Sequence, residues 1–170
     1  ALMDSYRMHG KGNSKYENVR IGMNSRLDTI QASILQVKLR IFDEELVAVN
    51  RAAAEYTSRL SDIVETPVVP AGVRSNRAQY TIKLNSKSER DGLKKYLEVQ
   101  GIPSMVYYPV PMHRQEAYMR HNQYDSSFPV TEKLCDTVLS LPIHAYISLE
   151  EINEVSSAIR NYLNYLNAKE

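Results

Sequence analysis

The chain has one cysteine, Cys135, so it cannot form an internal disulfide, and a reducing, cytoplasmic setting is the default. It has almost no net charge: 21 Lys and Arg against 20 Asp and Glu leave +1. That balance lacks the clustered basic charge of a nucleic-acid binder. No run of about eighteen apolar residues is present, so no membrane-spanning helix is expected. Ala1-Leu2-Met3-Asp4-Ser5-Tyr6-Arg7 has neither the basic start nor the apolar stretch of a signal peptide, and it lacks an initiator methionine. There is no internal repeat and no low-complexity segment. The histidines His9, His113, His121 and His144 stand at no recognised zinc spacing, so no metal site is expected. No Gly-x-Ser-x-Gly elbow occurs, and Cys135, between Leu134 and Val138, fits a buried structural thiol. What remains is a chain of 170 residues with 43 % hydrophobic and 24 % charged side chains, the composition of a globular domain.

Residues from Leu2 to His9 suit a short helix. Gly10-Lys11-Gly12-Asn13-Ser14-Lys15 then breaks regular structure, and its glycine spacing matches neither the P-loop nor the dinucleotide fingerprint. Leu27, Ile30, Ile34, Leu35, Leu39 and Ile41 follow a helical period, which resumes at Leu46, Val49, Ala53, Tyr56 and Leu60. This predicts one long helix from about Arg26 to Ser61, with a possible kink at Asp43-Glu44-Glu45. Strands are expected at Val64–Pro67, Tyr80–Leu84 and Ile102–Tyr108. Helices are expected over Ser86–Gln100, stopped by Gly101, over Thr131–Ser140, and from the capping box at Ser148 to about Leu166. Pro109-Val110-Pro111 forces an extended path between them. The expected fold class is α+β.

Two segments carry chemistry. Gly22-Met23-Asn24-Ser25-Arg26-Leu27-Asp28 leads into the long helix, where backbone N–H groups, the Asn24 amide and the Arg26 guanidinium would suit an anion such as phosphate. The plainer alternative is that Asn24 or Ser25 caps the helix and Arg26 pairs with Asp28. Tyr107-Tyr108-Pro109-Val110-Pro111-Met112-His113-Arg114-Gln115, with Tyr118 close behind, would hold aromatic faces and hydroxyls on a proline-stiffened loop. Its alternative is packing at the edge of the core.

Together these residues resemble a known family. Arg7-x-His9-Gly10, Tyr16, Gly22-x-Asn24-x-Arg26-Leu27-Asp28-x-x-Gln31-Ala32, Lys38-Leu39, Arg51 and Tyr56 are similar to the DegT/StrS sugar aminotransferases. Tyr108-Pro109-x-Pro111-x-His113-x-Gln115 and Leu139-Ser140-Leu141-Pro142-Ile143-His144 follow in the family's order. The resemblance implies an aspartate-aminotransferase-type (fold type I) enzyme that uses pyridoxal 5'-phosphate. Such an enzyme moves an amino group from glutamate to a nucleotide-linked keto sugar, in surface polysaccharide or amino-sugar biosynthesis, as a homodimer with active sites at the interface. It also implies that this chain is the C-terminal portion. Residues 1–60 would be the end of the large cofactor-binding domain plus a connecting helix, and 61–170 a small α+β domain. The Schiff-base lysine would lie upstream of Ala1, leaving the fragment alone inactive.

By the same resemblance, Asn24 reaches the cofactor phosphate of the other subunit, and Tyr108 and Tyr118 line the nucleotide-sugar pocket. Tyr107 stands where relatives often carry histidine. His113 either joins the pocket or holds the loop. Lys11, Lys15, Tyr16 and Arg20 belong to a loop that closes over the substrate diphosphate. Two further readings stay open: a pyridoxamine-dependent sugar dehydratase of the same fold, and a non-catalytic binding or dimerisation module.

Overall fold

The computed structural model describes every residue except 15, 120–126 and 169–170. It divides into two compact units, Ala1–Asp43 and Glu44–Glu170. The family resemblance implies a large-domain end with its connecting helix over 1–60 and a small domain over 61–170. The later turns of the long helix, through Ala52, Ala53, Tyr56 and Leu60, are buried in the core of the second unit.

In the first unit, helix α1 (Leu2–Arg7) is followed by a backbone-paired ribbon rather than an unpaired loop. Met8 bridges Asn24 and Lys11 bridges Asn18 in antiparallel sense. His9 N–H donates to Met23 carbonyl at 3.0 Å, and Val19 N–H to Gly10 carbonyl at 2.9 Å. The crossing is tight enough to require glycine: a Cβ on Gly10, whose φ is +76°, would lie 1.7 Å from the Arg20 carbonyl oxygen. Helix α2 (Thr29–Leu60) begins after this ribbon and runs unbroken past Asp43-Glu44-Glu45.

The second unit is built on a two-stranded antiparallel sheet, β1 (Tyr80–Lys83) and β2 (Val138–Leu141). Register pairs Tyr80 with Leu141 and Ile82 with Leu139. The strands expected at Val64–Pro67 and Ile102–Tyr108 contribute single bridges only, Glu65 to Lys83 and Met105 to Ser140. Prolines 67, 103 and 109 lack the N–H that would extend either ladder.

Helix α3 (Lys87–Val99) starts at Ser86, whose hydroxyl accepts from Glu89 N–H at 3.2 Å. It ends at Gly101, with φ +74°, where Gly101 N–H reaches Glu98 carbonyl at 3.0 Å and Ile102 N–H reaches Leu97 carbonyl at 2.9 Å. A 3₁₀ turn (Met112–Arg114) and helix α4 (Glu116–Met119) follow the proline cluster, where only an extended path is expected. The helix expected over Thr131–Ser140 is instead α5 (Pro129–Thr137) leading straight into β2. Val138–Leu141 continues the apolar run of α5, but its backbone groups are claimed by β1.

Helix α6 (Leu149–Asn167) carries the expected capping box between Ser148 and Glu151. Its Arg160 forks onto both carboxylate oxygens of Asp62, at 2.8 and 2.9 Å, and onto Arg59 carbonyl at the end of α2. Tyr56, Leu60, Ile82, Leu93, Leu97, Leu139, Ile152 and Ile159 form the fully buried centre.

Candidate functional site

The site residues expected from sequence fall into two groups, one in each unit. In the first unit, Asn24 ends the paired ribbon, held through its backbone bridge to Met8. Its side chain is exposed and makes no intramolecular hydrogen bond among the described residues. The helix cap is neither Asn24 nor Ser25. Asp28 takes that position, its Oδ1 accepting from Ile30 N–H at 2.8 Å and from Gln31 N–H at 3.4 Å. The first turn of α2 is thereby already supplied with an anion, so the helix start itself is not a phosphate site. Asp28 being so engaged, Arg26 has no ion-pair partner among the described residues. The Asn24 amide and the Arg26 guanidinium are therefore both uncommitted donors, two residues apart on an extended segment.

The other expected members of this group are less convergent. Lys11 is exposed, and its backbone carbonyl accepts from Ser5 Oγ at 2.6 Å. Tyr16 is 88 % exposed. Lys15 lies outside the described residues. Arg20 does a structural job: it bonds Ser5 Oγ and sits 5.7 Å from the centre of the Tyr6 ring.

In the second unit, the loop after the Met105 bridge and helix α5 enclose a cleft of about 420 Å³. Tyr107, Tyr108, Val110, Pro111, Met112 and Gln115 form one wall. Thr131, Leu134, Cys135 and Val138 form the other. The Tyr107 and Tyr108 rings meet edge to face with centres 5.8 Å apart, and Tyr108 is 71 % exposed, so its hydroxyl and face are available to a ligand.

His113 does not line this cleft. Its Nε2 lies 2.8 Å from Glu132 Oε1 on α5, and its ring packs 4.9 Å from Phe128. Arg114 Nη2 reaches the same carboxylate oxygen at 3.4 Å. The hydrogen bond from His113, aided by Arg114, holds the Glu132 carboxyl below its ordinary value. Of the two roles open to His113, the geometry gives it the second: it ties the tyrosine loop to α5. Tyr118 sits on α4, half exposed and away from the cleft lining.

The α5 wall escaped the sequence reading, although Thr131, Leu134, Cys135 and Val138 keep the i, i+3, i+4, i+7 spacing of one helical face. No group of three or more metal-ligating side chains occurs among the described residues, and no helix among them is long and apolar enough to cross a membrane.

Residues 1–160 match the model of the DegT/DnrJ/EryC1/StrS aminotransferase family. The chain belongs to that family. It is 36 % identical over 154 residues to the UDP-2-acetamido-2-deoxy-3-oxo-D-glucuronate aminotransferase of Pseudomonas aeruginosa, covering 90 % of this chain and 41 % of that protein. It is 34 % identical over 149 residues to the dTDP-3-amino-3,6-dideoxy-alpha-D-galactopyranose transaminase of Aneurinibacillus thermoaerophilus, covering 87 % of this chain and 40 % of that one. A crystal structure of a DegT DnrJ EryC1 StrS aminotransferase from Brucella abortus superposes with a TM-score of 0.87 at 45 % identity, over 95 % of this chain and 42 % of that one. The chain thus spans about two fifths of the length of the relatives it matches. Within the family, the ribbon carrying Asn24 and the tyrosine loop are both inside the matched residues.

Proposed function

We propose that this chain is the C-terminal part of a fold type I, pyridoxal-phosphate-dependent aminotransferase that moves an amino group from glutamate to a nucleotide-linked keto sugar. Both curated relatives described above are named for nucleotide-sugar amination. The observation that carries the reading is the Asn24 carboxamide: exposed, uncommitted and fixed at the end of a paired ribbon beside the equally uncommitted Arg26. An amide N–H and a guanidinium are a donor set that fits a phosphate monoester.

When bound, pyridoxal phosphate supplies the electron sink that amino-group transfer needs. This chain supplies the supports. Asn24 donates to a phosphate oxygen of the cofactor, across the interface of a homodimer. Tyr108 offers its ring and hydroxyl to the nucleotide sugar, with Tyr107 beside it. Val110, Pro111, Met112 and Leu134 keep water from that wall of the cleft. His113, through Glu132, keeps the tyrosine loop seated, and Lys11, Lys15 and Tyr16 lie on the segment that meets the diphosphate. No lysine of this chain is assigned the Schiff-base role, which belongs to the part of the enzyme preceding it.

The test is cofactor retention in the full-length protein. Asn24→Ala should lose pyridoxal phosphate on dialysis at least about tenfold faster than wild type, the loss of one charge-assisted hydrogen bond. Retention equal to wild type removes Asn24 from the cofactor site.

A further inference from the structure

We infer that Arg90 is a positioning residue for the substrate cleft, acting through the junction of α5 and β2. The inference rests on the cleft's role under the proposed function. Arg90 sits on α3 with only 3 % of its surface exposed, yet the carboxylate it meets, Asp91 at 2.6 Å, is itself largely in solvent. Burying a guanidinium is costly unless its donors are used. Here the buried donor Nη1 is used on the backbone: it reaches Cys135 carbonyl at 3.0 Å and Val138 carbonyl at 3.4 Å.

Those two residues are where α5 stops and β2 begins, and both their side chains line the cleft opposite the tyrosines. The junction has no glycine and no left-handed residue to set its turn, since Val138 is already extended with φ −82° and ψ 143°. It is fixed instead by donors. Val138 N–H takes Leu134 carbonyl, Leu84 N–H takes Thr137 carbonyl at 2.9 Å, and Arg90 takes Cys135 carbonyl. A cation at a helix C-terminus also meets the negative end of the helix dipole.

The opposite wall hangs from the same strand. Met105 and Ser140 exchange backbone hydrogen bonds at 3.0 and 2.7 Å, and this pairing launches the chain toward Tyr107 and Tyr108. Both walls therefore take their position from β2, and Arg90 sets how α5 enters it. Losing its two bonds leaves buried carbonyls unpaired and lets Cys135 and Val138 move relative to the tyrosines.

The experiment uses the full-length enzyme with Arg90→Met and Arg90→Lys. The first readout is the rate of Cys135 alkylation by iodoacetamide, followed on its peptide by mass spectrometry. Arg90→Met should raise that rate about tenfold, and Arg90→Lys, whose ammonium can still serve one carbonyl, should fall between it and wild type. The second readout is kinetic: KM for the nucleotide sugar should rise about tenfold in Arg90→Met, with kcat and the KM for glutamate within about twofold of wild type. An unchanged alkylation rate overturns the inference. So does a fall in kcat with KM unaltered, which marks a purely structural role. If Arg90→Met fails to fold, Arg90→Lys decides, and wild-type values in both readouts refute the assignment. If the wild-type enzyme aminates no keto sugar, the proposed function fails, while the alkylation result still settles whether Arg90 holds the junction.

Discussion

Helix α2 is one element with two kinds of surroundings. In its later turns Ala53, Tyr56 and Leu60 are buried in the second unit's core, while in its early turns Ile30, Ile34, Leu35 and Leu39 are 49 to 73 % exposed. Among the described residues of 1–43, only Ser5 and Gly10 are buried. The same apolar period runs through both halves. A periodic stripe says which face of a helix seeks cover, not what covers it. Under the proposed function, the early stripe is covered in the full-length enzyme by the remainder of the cofactor-binding domain and by the second subunit.

The largest expected effect separates the two regions. Leu139→Ala or Leu93→Ala, both fully buried in the second unit, should destabilise this chain by about 2–5 kcal/mol in urea denaturation. Ile30→Ala, 73 % exposed, should change it by less than about 0.5 kcal/mol. In the full-length protein, where the proposed function has this side chain covered, Ile30→Ala should instead cost about 1–3 kcal/mol. An equal, small effect in both contexts would break that account of the early stripe.

A smaller effect belongs to the last helix. Ser148→Ala removes the hydroxyl half of the capping box on α6, leaving Glu151 to accept from the backbone N–H at position 148, and should cost about 1 kcal/mol by the same measurement.

Smaller still is the effect of the tie beneath the tyrosine loop. Glu132 is held below its ordinary value by His113, so its folded value lies under its unfolded one. The stabilisation is therefore complete above the ordinary glutamate range and is lost as pH falls through the lowered value. Denaturation midpoints followed from neutral into acid pH should show this loss, and Glu132→Gln should flatten that part of the curve. A curve unchanged by Glu132→Gln would show that the loop is held by other contacts.

Where local chemistry decides an element, it was legible in the residues. Ser148-x-x-Glu151 announces α6, and Ser86 and Gly101 bracket α3, because caps act within a few residues of themselves. Strand β2 was not legible: Val138–Leu141 continues the apolar run of α5, and only pairing with β1, distant in sequence, makes it a strand. The start of α2 offered Asn24 or Ser25 as its cap and Asp28 as a partner for Arg26, whereas it is Asp28 that folds back onto the helix, a choice spacing could not make. That choice matters, since taking Asp28 leaves Asn24 uncommitted.

The site shows the same limit. Tyr107 and Tyr108 stand out beside their prolines, whereas Arg90 hides in Lys87-Ser88-Glu89-Arg90-Asp91, a stretch that looks wholly solvated. Its burial is a property of α5 and β2 closing over it, which no local pattern carries.

The most direct test of the central claim is amino transfer itself. Full-length protein, loaded with pyridoxal phosphate and supplied with glutamate, should convert a UDP- or dTDP-linked keto sugar into the corresponding amino sugar, detected as product by mass spectrometry. Cofactor-loaded enzyme that aminates no member of a panel of such keto sugars would contradict the account.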